Sequence, residues 1–133
     1  MMLLDSSHLI ALLNEEDVFH EEALRKMDGL EKSGRGLAIS DYILNEAVTV
    51  ILRKRGLEKA KETLDFLLDY KQLEIFHMDE KGFAEVVKEF REQKDHLSFV
   101  DCSILWMAKR HGFGVLTFDK NLLAELGKTG KKG

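Results

Sequence analysis

Short apolar segments alternate with helical segments along this chain, and a polar residue follows each apolar segment closely. Met2–Leu4, Leu37–Ile39, Leu73–Met78 and Val115–Phe118 have the apolar character of buried strands. Strands that alternate with helices form βαβ units, in which parallel strands carry helices on both faces. We therefore predict an α/β fold, a single-domain three-layer α/β/α sandwich with a central parallel sheet of four or five short strands.

The segment from Leu97 to Asp119 shows this pattern most clearly. A polar start at Ser98 precedes a helix that is apolar on nearly every side, and the strand Val115–Phe118 follows a helix stop at His111-Gly112. Asp101 lies in the first turn of this helix, and Asp119 follows the strand directly. In an open α/β sheet, ligands bind outside the carboxyl ends of the strands. Both acids are therefore candidate functional residues.

Length and cysteine content narrow the class of protein. A chain of 133 residues with 44% hydrophobic content supports one hydrophobic core rather than two. No apolar run approaches the ~20 residues of a membrane span, and the first residues lack the basic start of a secretory signal. We therefore predict a cytoplasmic protein. Cys102 permits no internal disulfide, and its place in the apolar helix predicts a small buried side chain.

The net charge of −4 disfavours a general polyanion binder, because affinity for phosphates comes mainly from clustered Lys and Arg. The basic clusters Arg53–Arg55 and Lys109–His111 end helices, where cations are favoured in any case. An acidic protein can nevertheless act on nucleic acid when a bound cation bridges its carboxylates to phosphate.

Each of the candidate acids has a local structural explanation. Asp5 would be stabilised by the dipole of the helix that follows it, and Asp101 would complete a capping box with Ser98. Glu46 would pair with the arginine two turns further along its helix. Asp119 would be an ordinary turn residue.

The combination of these acids suggests chemistry. In a parallel sheet Asp5 and Asp119 leave their strands at the same edge, and the helices that hold Glu46 and Asp101 start near it. Carboxylates gathered in one cleft repel one another unless a cation neutralises them. Ligand sets made only of oxygen suit Mg²⁺ or Mn²⁺. Such a site catalyses hydrolysis of phosphate esters.

The resemblance to a known family lies in four segments: LLDSSHLIALLNEED, ISDYILNEAVTVILRK, LSFVDCSILWMAKRHG and VLTFDKNL. In this order and at these distances they resemble the PIN domain family, in particular the small single-domain ribonucleases that act as the toxin of toxin–antitoxin pairs. The most specific parts are the Asn45-Glu46 pair before an apolar helix, and Asp101 and Asp119 on either side of the helix–Gly–strand unit. The resemblance extends from the first strand to about Leu122.

This resemblance implies the fold, the site and the partners. It implies a PIN-like nuclease domain over residues 1–126, strand order 3-2-1-4-5, a Mg²⁺ or Mn²⁺ cofactor, single-stranded RNA as substrate, a homodimer and an antitoxin protein. The acidic quartet, with metal-binding and catalytic roles, falls on Asp5, Glu46, Asp101 and Asp119. The hydroxyl residues that support it fall on Ser6 or Ser7 and on Thr117. We expect Asp5, Glu46 and Asp101 to hold one cation, and Asp119 to complete the site or orient the attacking water.

The chain departs from the family pattern after Asp119. Family members commonly add a last edge strand, whereas Leu122–Leu126 continues as a short helical segment and Gly127 follows. We predict that the edge strand is missing or very short. Residues 127–133 are predicted to be a flexible basic tail.

Other residues are assigned structural roles. His8, His20, His77, His96 and His111 share no metal-ligand spacing, so we expect them to be structural or surface residues. Trp106 and the phenylalanines are expected in the core. Arg53, Lys54 or Lys120 would steer RNA or simply be solvated at helix ends.

Two other functions are alternatives to a metal-dependent nuclease. A phosphatase with an aspartyl nucleophile needs a second Asp two residues after the first, and this chain has Ser7 there, which disfavours it. A non-catalytic partner-binding PIN-like domain would have a vestigial acidic cleft that receives an Arg or Lys from a protein partner. Mg²⁺-dependent cleavage by the purified protein would separate this alternative from the nuclease.

Overall fold

The structure is a computed structural model that describes residues 1–128. The strands are β1 Met2–Leu4, β2 Leu37–Ser40, β3 Leu73–Phe76 and β4 Gly114–Leu116. The helices are α1 Ser6–Leu13, α2 His20–Ser33, α3 Asp41–Arg55, α4 Leu57–Asp69, α5 Glu80–Glu92, α6 Phe99–His111 and α7 Lys120–Lys128. The predicted alternation of strands and helices is confirmed.

The strands form one parallel sheet in the order β3-β2-β1-β4. This confirms the predicted α/β class and the order of the first four strands. Residues 1–128 contain no fifth strand, which is the departure that the sequence after Asp119 predicted. β4 ends at Leu116, two residues earlier than predicted, and β3 ends two residues before Met78.

β1 is the centre of the fold because it pairs with β2 on one side and with β4 on the other. All three of its side chains are buried, as expected for a strand covered by helices on both faces. Its pairing continues one residue further, because the amide of Asp5 donates to the carbonyl of Leu116 at 2.9 Å. Asp5 is thereby placed at the carboxyl edge of the sheet.

The predicted helix boundaries follow from capping. Ser40 accepts a hydrogen bond from the amide of Ile43 and starts α3. Ser98 and Asp101 form a capping box at the start of α6. Gly112 ends α6 with a φ of 70°, a left-handed conformation that glycine adopts without strain.

The helix α6 is buried on nearly every side, as its sequence predicts. Its buried apolar residues are Cys102, Ile104, Leu105, Met107 and Ala108. Cys102 is 2% exposed, so the prediction of a small buried side chain is confirmed. Trp106 is only partly buried, and its indole N–H donates to the Glu85 carboxylate at 2.5 Å.

The apolar stripe of α5 differs from its prediction. Val86 is buried, but Phe83 is 48% exposed and Phe90 is 42% exposed. The prediction that the phenylalanines belong to the core is therefore wrong for these two, and it is also wrong for Phe19 and Phe66, which are exposed as well. The rings of Phe83 and Phe90 lie against Phe99 at the start of α6, so one side of each ring is left uncovered.

The last helix of the described residues extends beyond residue 126, where we predicted the end of the domain. α7 continues through Gly127 and Lys128, which were assigned to the tail, while residues 129–133 lie outside the described residues. Within residues 1–128 no helix combines the length and the apolar character that a bilayer crossing requires.

Gly82 on α5 is predicted to be required by packing. A Cβ atom there would lie 2.7 Å from the Met78 sulfur and 2.9 Å from the Trp106 ring. We expect Gly82→Ala to lower the free energy of unfolding by about 1 to 3 kcal/mol, measured by denaturant titration. Gly29→Ala in α2 is the control, because nothing lies within 4 Å of its Cβ position. It should raise stability by about 0.5 to 1 kcal/mol. Equal effects of the two substitutions would contradict this account.

Candidate active site

Asp5 is a buried carboxylate held by two hydroxyl groups. It is 3% exposed and lies between β1 and α1. Its Oδ2 atom accepts hydrogen bonds from Thr117 Oγ1 at 2.6 Å and from Ser7 Oγ at 2.9 Å. These bonds offset part of the solvation that a buried carboxylate loses. Asp5 makes no side-chain hydrogen bond to the start of α1, so its position is not explained as a helix cap.

The same two hydroxyl groups fix the chain after β4. Each hydroxyl has one proton, and with both protons donated to Asp5 the hydroxyl oxygens accept from the backbone. The amide of Phe118 donates to Ser7 Oγ at 2.9 Å, and the amide of Asp119 donates to Thr117 Oγ1 at 3.0 Å. The two hydroxyl oxygens lie 3.1 Å apart. Asp5 and Asp119 are therefore joined through one hydrogen-bonded cluster.

Asp119 also starts α7. Its Oδ1 atom accepts the amide of Leu122 at 3.0 Å, which is the geometry of a helix cap. Asp119 therefore caps a helix and is not simply a turn residue.

Glu46 is attached to the start of α1. It lies in α3, is partly buried, and its Oε1 atom accepts the hydroxyl proton of Ser6. The local alternative, an ion pair with Arg53, does not occur among the described residues. Ser6 therefore supports Glu46, while Ser7 supports Asp5.

Asp101 forms the predicted capping box and also lies near two of the other candidate acids. Its Oδ2 atom accepts the amide of Ser98 at 3.2 Å, which confirms the capping box. Burial raises the pKa of Asp101, and the negative charges of Asp5 and Asp119 raise it further, while the hydrogen bonds from Ser98 lower it. The influence of Asp5 and Asp119 means that these acids lie close enough to repel.

One oxygen of each acid remains available. Within residues 1–128, Asp5 Oδ1, Glu46 Oε2, Asp101 Oδ1 and Asp119 Oδ2 accept no hydrogen bond. The ion pairs of the described residues involve none of the four acids. Free carboxylate oxygens of this kind are the ligands that a hard divalent cation prefers.

The arrangement is not a finished metal site. In the described part of the chain, no group of three or more His, Cys, Asp or Glu side chains is disposed to hold a metal ion. The direct hydrogen bonds bring together Asp5, Ser7, Thr117 and Asp119, and separately Ser6 and Glu46. Asp101 joins them through electrostatic influence only. For all four acids to share one ion, their side chains would have to move from the positions that they have in residues 1–128.

Comparison with known protein families matches residues 2–128 to the PIN domain. The chain belongs to the PIN domain family. The predicted resemblance is thereby confirmed over nearly the whole chain. No curated protein matches this PIN domain in sequence.

Solved structures share the fold of this PIN domain. VapC20 of Mycobacterium tuberculosis, described as a sarcin-ricin loop cleaving toxin, is 22% identical with a TM-score of 0.81, over 94% of this chain and 95% of its own. VapBC2 from Rickettsia felis, bound to a promoter DNA fragment, is 17% identical with a TM-score of 0.70, over 98% and 94%. PAE2754 from Pyrobaculum aerophilum is 20% identical with a TM-score of 0.59, over 93% and 83%. At these identities the likeness concerns the fold.

His8 was assigned only a structural or surface role, yet it borders the hydroxyl cluster of this PIN domain. It is fully buried, and neither ring nitrogen has a hydrogen-bond partner among the described residues. Its ring stacks on Phe118 at 5.2 Å, and Phe118 also stacks on Phe19 at 4.5 Å. The sequence did contain a signal for the burial of His8, because this residue lies one turn after Asp5 in a helix with few exposed residues.

Burial and, to a smaller extent, the charge of Lys26 lower the pKa of His8 to about 4, against an opposing effect of the charge of Glu22. The imidazole is therefore neutral in the folded protein. In the unfolded chain it titrates near ~6.5, so between these values the unfolded state binds a proton that the folded state excludes. The contribution of neutral His8 to the free energy of unfolding is therefore complete above pH ~6.5. It is lost as the pH falls toward 4.

We predict that His8→Phe reduces the acid sensitivity of the protein. Between pH 7.5 and 4.5, wild type should lose roughly 2 to 3 kcal/mol more unfolding free energy than the variant, measured by urea titration at both pH values. His96→Gln, which alters an exposed histidine, is the control and should keep the wild-type slope. Equal slopes for His8→Phe and wild type would show that His8 is not a neutral buried group.

Proposed function

We propose that this protein is a metal-dependent endoribonuclease that hydrolyses phosphodiester bonds of single-stranded RNA. The PIN domain is in general a nuclease domain. One observation supports the proposal most strongly: four acids near one sheet edge each keep an unbonded oxygen, and none of them has a Lys, Arg or His partner in residues 1–128. Such uncompensated charge favours a divalent cation over a purely structural role.

Asp5, Glu46, Asp101 and Asp119 would hold Mg²⁺ or Mn²⁺. When bound, the cation offsets the negative charge of the phosphodiester and lowers the pKa of the attacking water. Ser7 and Thr117 hold the Asp5 carboxylate in place, and Ser6 holds Glu46. The Asp119 carboxylate would complete the cation site or orient the attacking water.

The physiological role that we propose is that of a toxin in a toxin–antitoxin pair. The fold likeness to VapC20 and to the VapBC2 complex supports this role. A protein antitoxin would inhibit the enzyme by placing an Arg or Lys among the acids, where its charge replaces that of the cation. We also expect a homodimer, as the resemblance implies.

We predict that Asp5→Asn and Asp101→Asn each abolish Mg²⁺- or Mn²⁺-dependent cleavage of single-stranded RNA, and that EDTA does the same to wild type. Circular dichroism should show an intact fold. Because burial and two nearby charges raise the pKa of Asp101, a neutral amide there should not destabilise the metal-free protein. Asp65→Asn, on the exposed face of α4, removes the same charge and should retain activity. Unchanged cleavage by both site variants would end the nuclease assignment and favour the non-catalytic partner-binding alternative.

We further predict a graded effect at Thr117. Thr117→Val preserves shape but removes one hydroxyl donor to Asp5 and the acceptor for the Asp119 amide. Loss of a group that orients a metal ligand typically costs about 10-fold to 100-fold in metal affinity or activity. The matched control is Thr63→Val, since Thr63 is equally buried but bonds only within α4. A Mg²⁺ titration of cleavage measures the effect, and an identical response of both variants would refute the role of Thr117.

A further inference from the structure

An open groove of about 590 Å³ lies beside Glu46, between α3, α5 and the start of α6. Glu46 belongs both to this groove and to the acidic site. The groove is therefore continuous with the position that a scissile phosphate would occupy under the proposed function.

Aromatic rings form much of the groove surface. The Phe99 ring lies 5.8 Å from the Phe83 ring and 6.1 Å from the Tyr42 ring, measured between centroids. Phe83 is nearly half exposed, although it lies on the apolar stripe of α5. Exposed rings around a concave surface are typical of sites on which bases of single-stranded nucleic acid stack.

A cation and an amide complete the groove. Arg53 is exposed and has no ion-pair partner among the described residues, whereas its neighbour Arg55 pairs with Glu16 at 2.6 Å. Arg53 follows Glu46 by two helical turns, ~10 Å along α3. Asn45, beside Glu46, is exposed and offers both a donor and an acceptor for a base edge.

We infer that this groove binds the single-stranded RNA next to the cleaved bond, with a base stacked on Phe83 and Tyr42 and a phosphate at Arg53. This inference rests on the proposed function. The order of charges supports it, because the groove is lined by Glu46, which would help to hold the cation, and by Arg53, which has no ion-pair partner within residues 1–128. A phosphate backbone can satisfy both in a single extended strand.

Photo-crosslinking locates the RNA without requiring cleavage. Single-stranded RNA carrying 5-iodouridine is irradiated with the full-length Asp101→Asn protein in EDTA, and adducts are mapped by mass spectrometry. We expect adducts on peptides that contain Tyr42, Phe83 or Phe99. Adducts found only at other aromatic residues, such as Phe19 or Trp106, or no adducts at all, would overturn the inference.

Binding measurements test the energetics. By fluorescence anisotropy under the same conditions, Phe83→Leu and Arg53→Gln should each weaken binding of the RNA roughly 10-fold. Phe83→Tyr should restore it. The controls are Phe66→Leu and Arg25→Gln, which alter exposed residues on other helices and should bind as wild type does. In cleavage assays the groove variants should raise KM and leave kcat unchanged.

Two further outcomes keep the proposals separate. If light scattering shows that Phe83→Leu converts a dimer into a monomer, the groove is covered by a second copy of this chain and the inference is wrong. If wild type binds RNA through the groove but does not cleave it in Mg²⁺ or Mn²⁺, the proposed nuclease function fails while the groove stands.

Discussion

The candidate site depends on the hydrogen bonds that Ser7 and Thr117 donate to the buried carboxylate of Asp5. They compensate a charge that would otherwise be costly beside the apolar core. They also join two neighbouring strands beyond the last residues that pair in the sheet, and their oxygens hold the backbone that presents Asp119. The hydrogen bonds among Asp5, Ser7 and Thr117 thus continue the pairing of β1 with β4 beyond the carboxyl ends of these strands, so the sheet holds the candidate site in place.

Much of the fold was predictable because its determinants are local. Apolar segments, serine caps and terminal glycines specify β1, the start of α3 and both ends of α6. The register of β4 was less predictable, since Thr117 has a strand-like sequence but directs its hydroxyl to Asp5 instead of continuing the ladder. The partial exposure of Phe83 depends on how α5 meets α6, and periodicity within one helix contains no information about that packing.

For the site, sequence analysis predicted the acids and their supporting hydroxyls but not how closely they approach. Asp101 illustrates why: its capping bond uses only Oδ2, so the local role is compatible with the functional role that we propose for it. The apolar helix around His8 indicated burial, but its stacking on Phe118 could not be predicted, because Phe118 lies far along the chain. Contacts of that kind are properties of the tertiary structure.

The placement of β1 between β2 and β4 has a consequence for biosynthesis. β1 is an inner strand that is translated before the other three strands of this sheet, yet its β4 neighbour and the hydroxyl of Thr117 follow more than a hundred residues later. Until then Asp5 lacks one of its two donors and the pocket lacks Asp119. In the nascent chain the candidate site therefore stays incomplete until β4 docks beside β1.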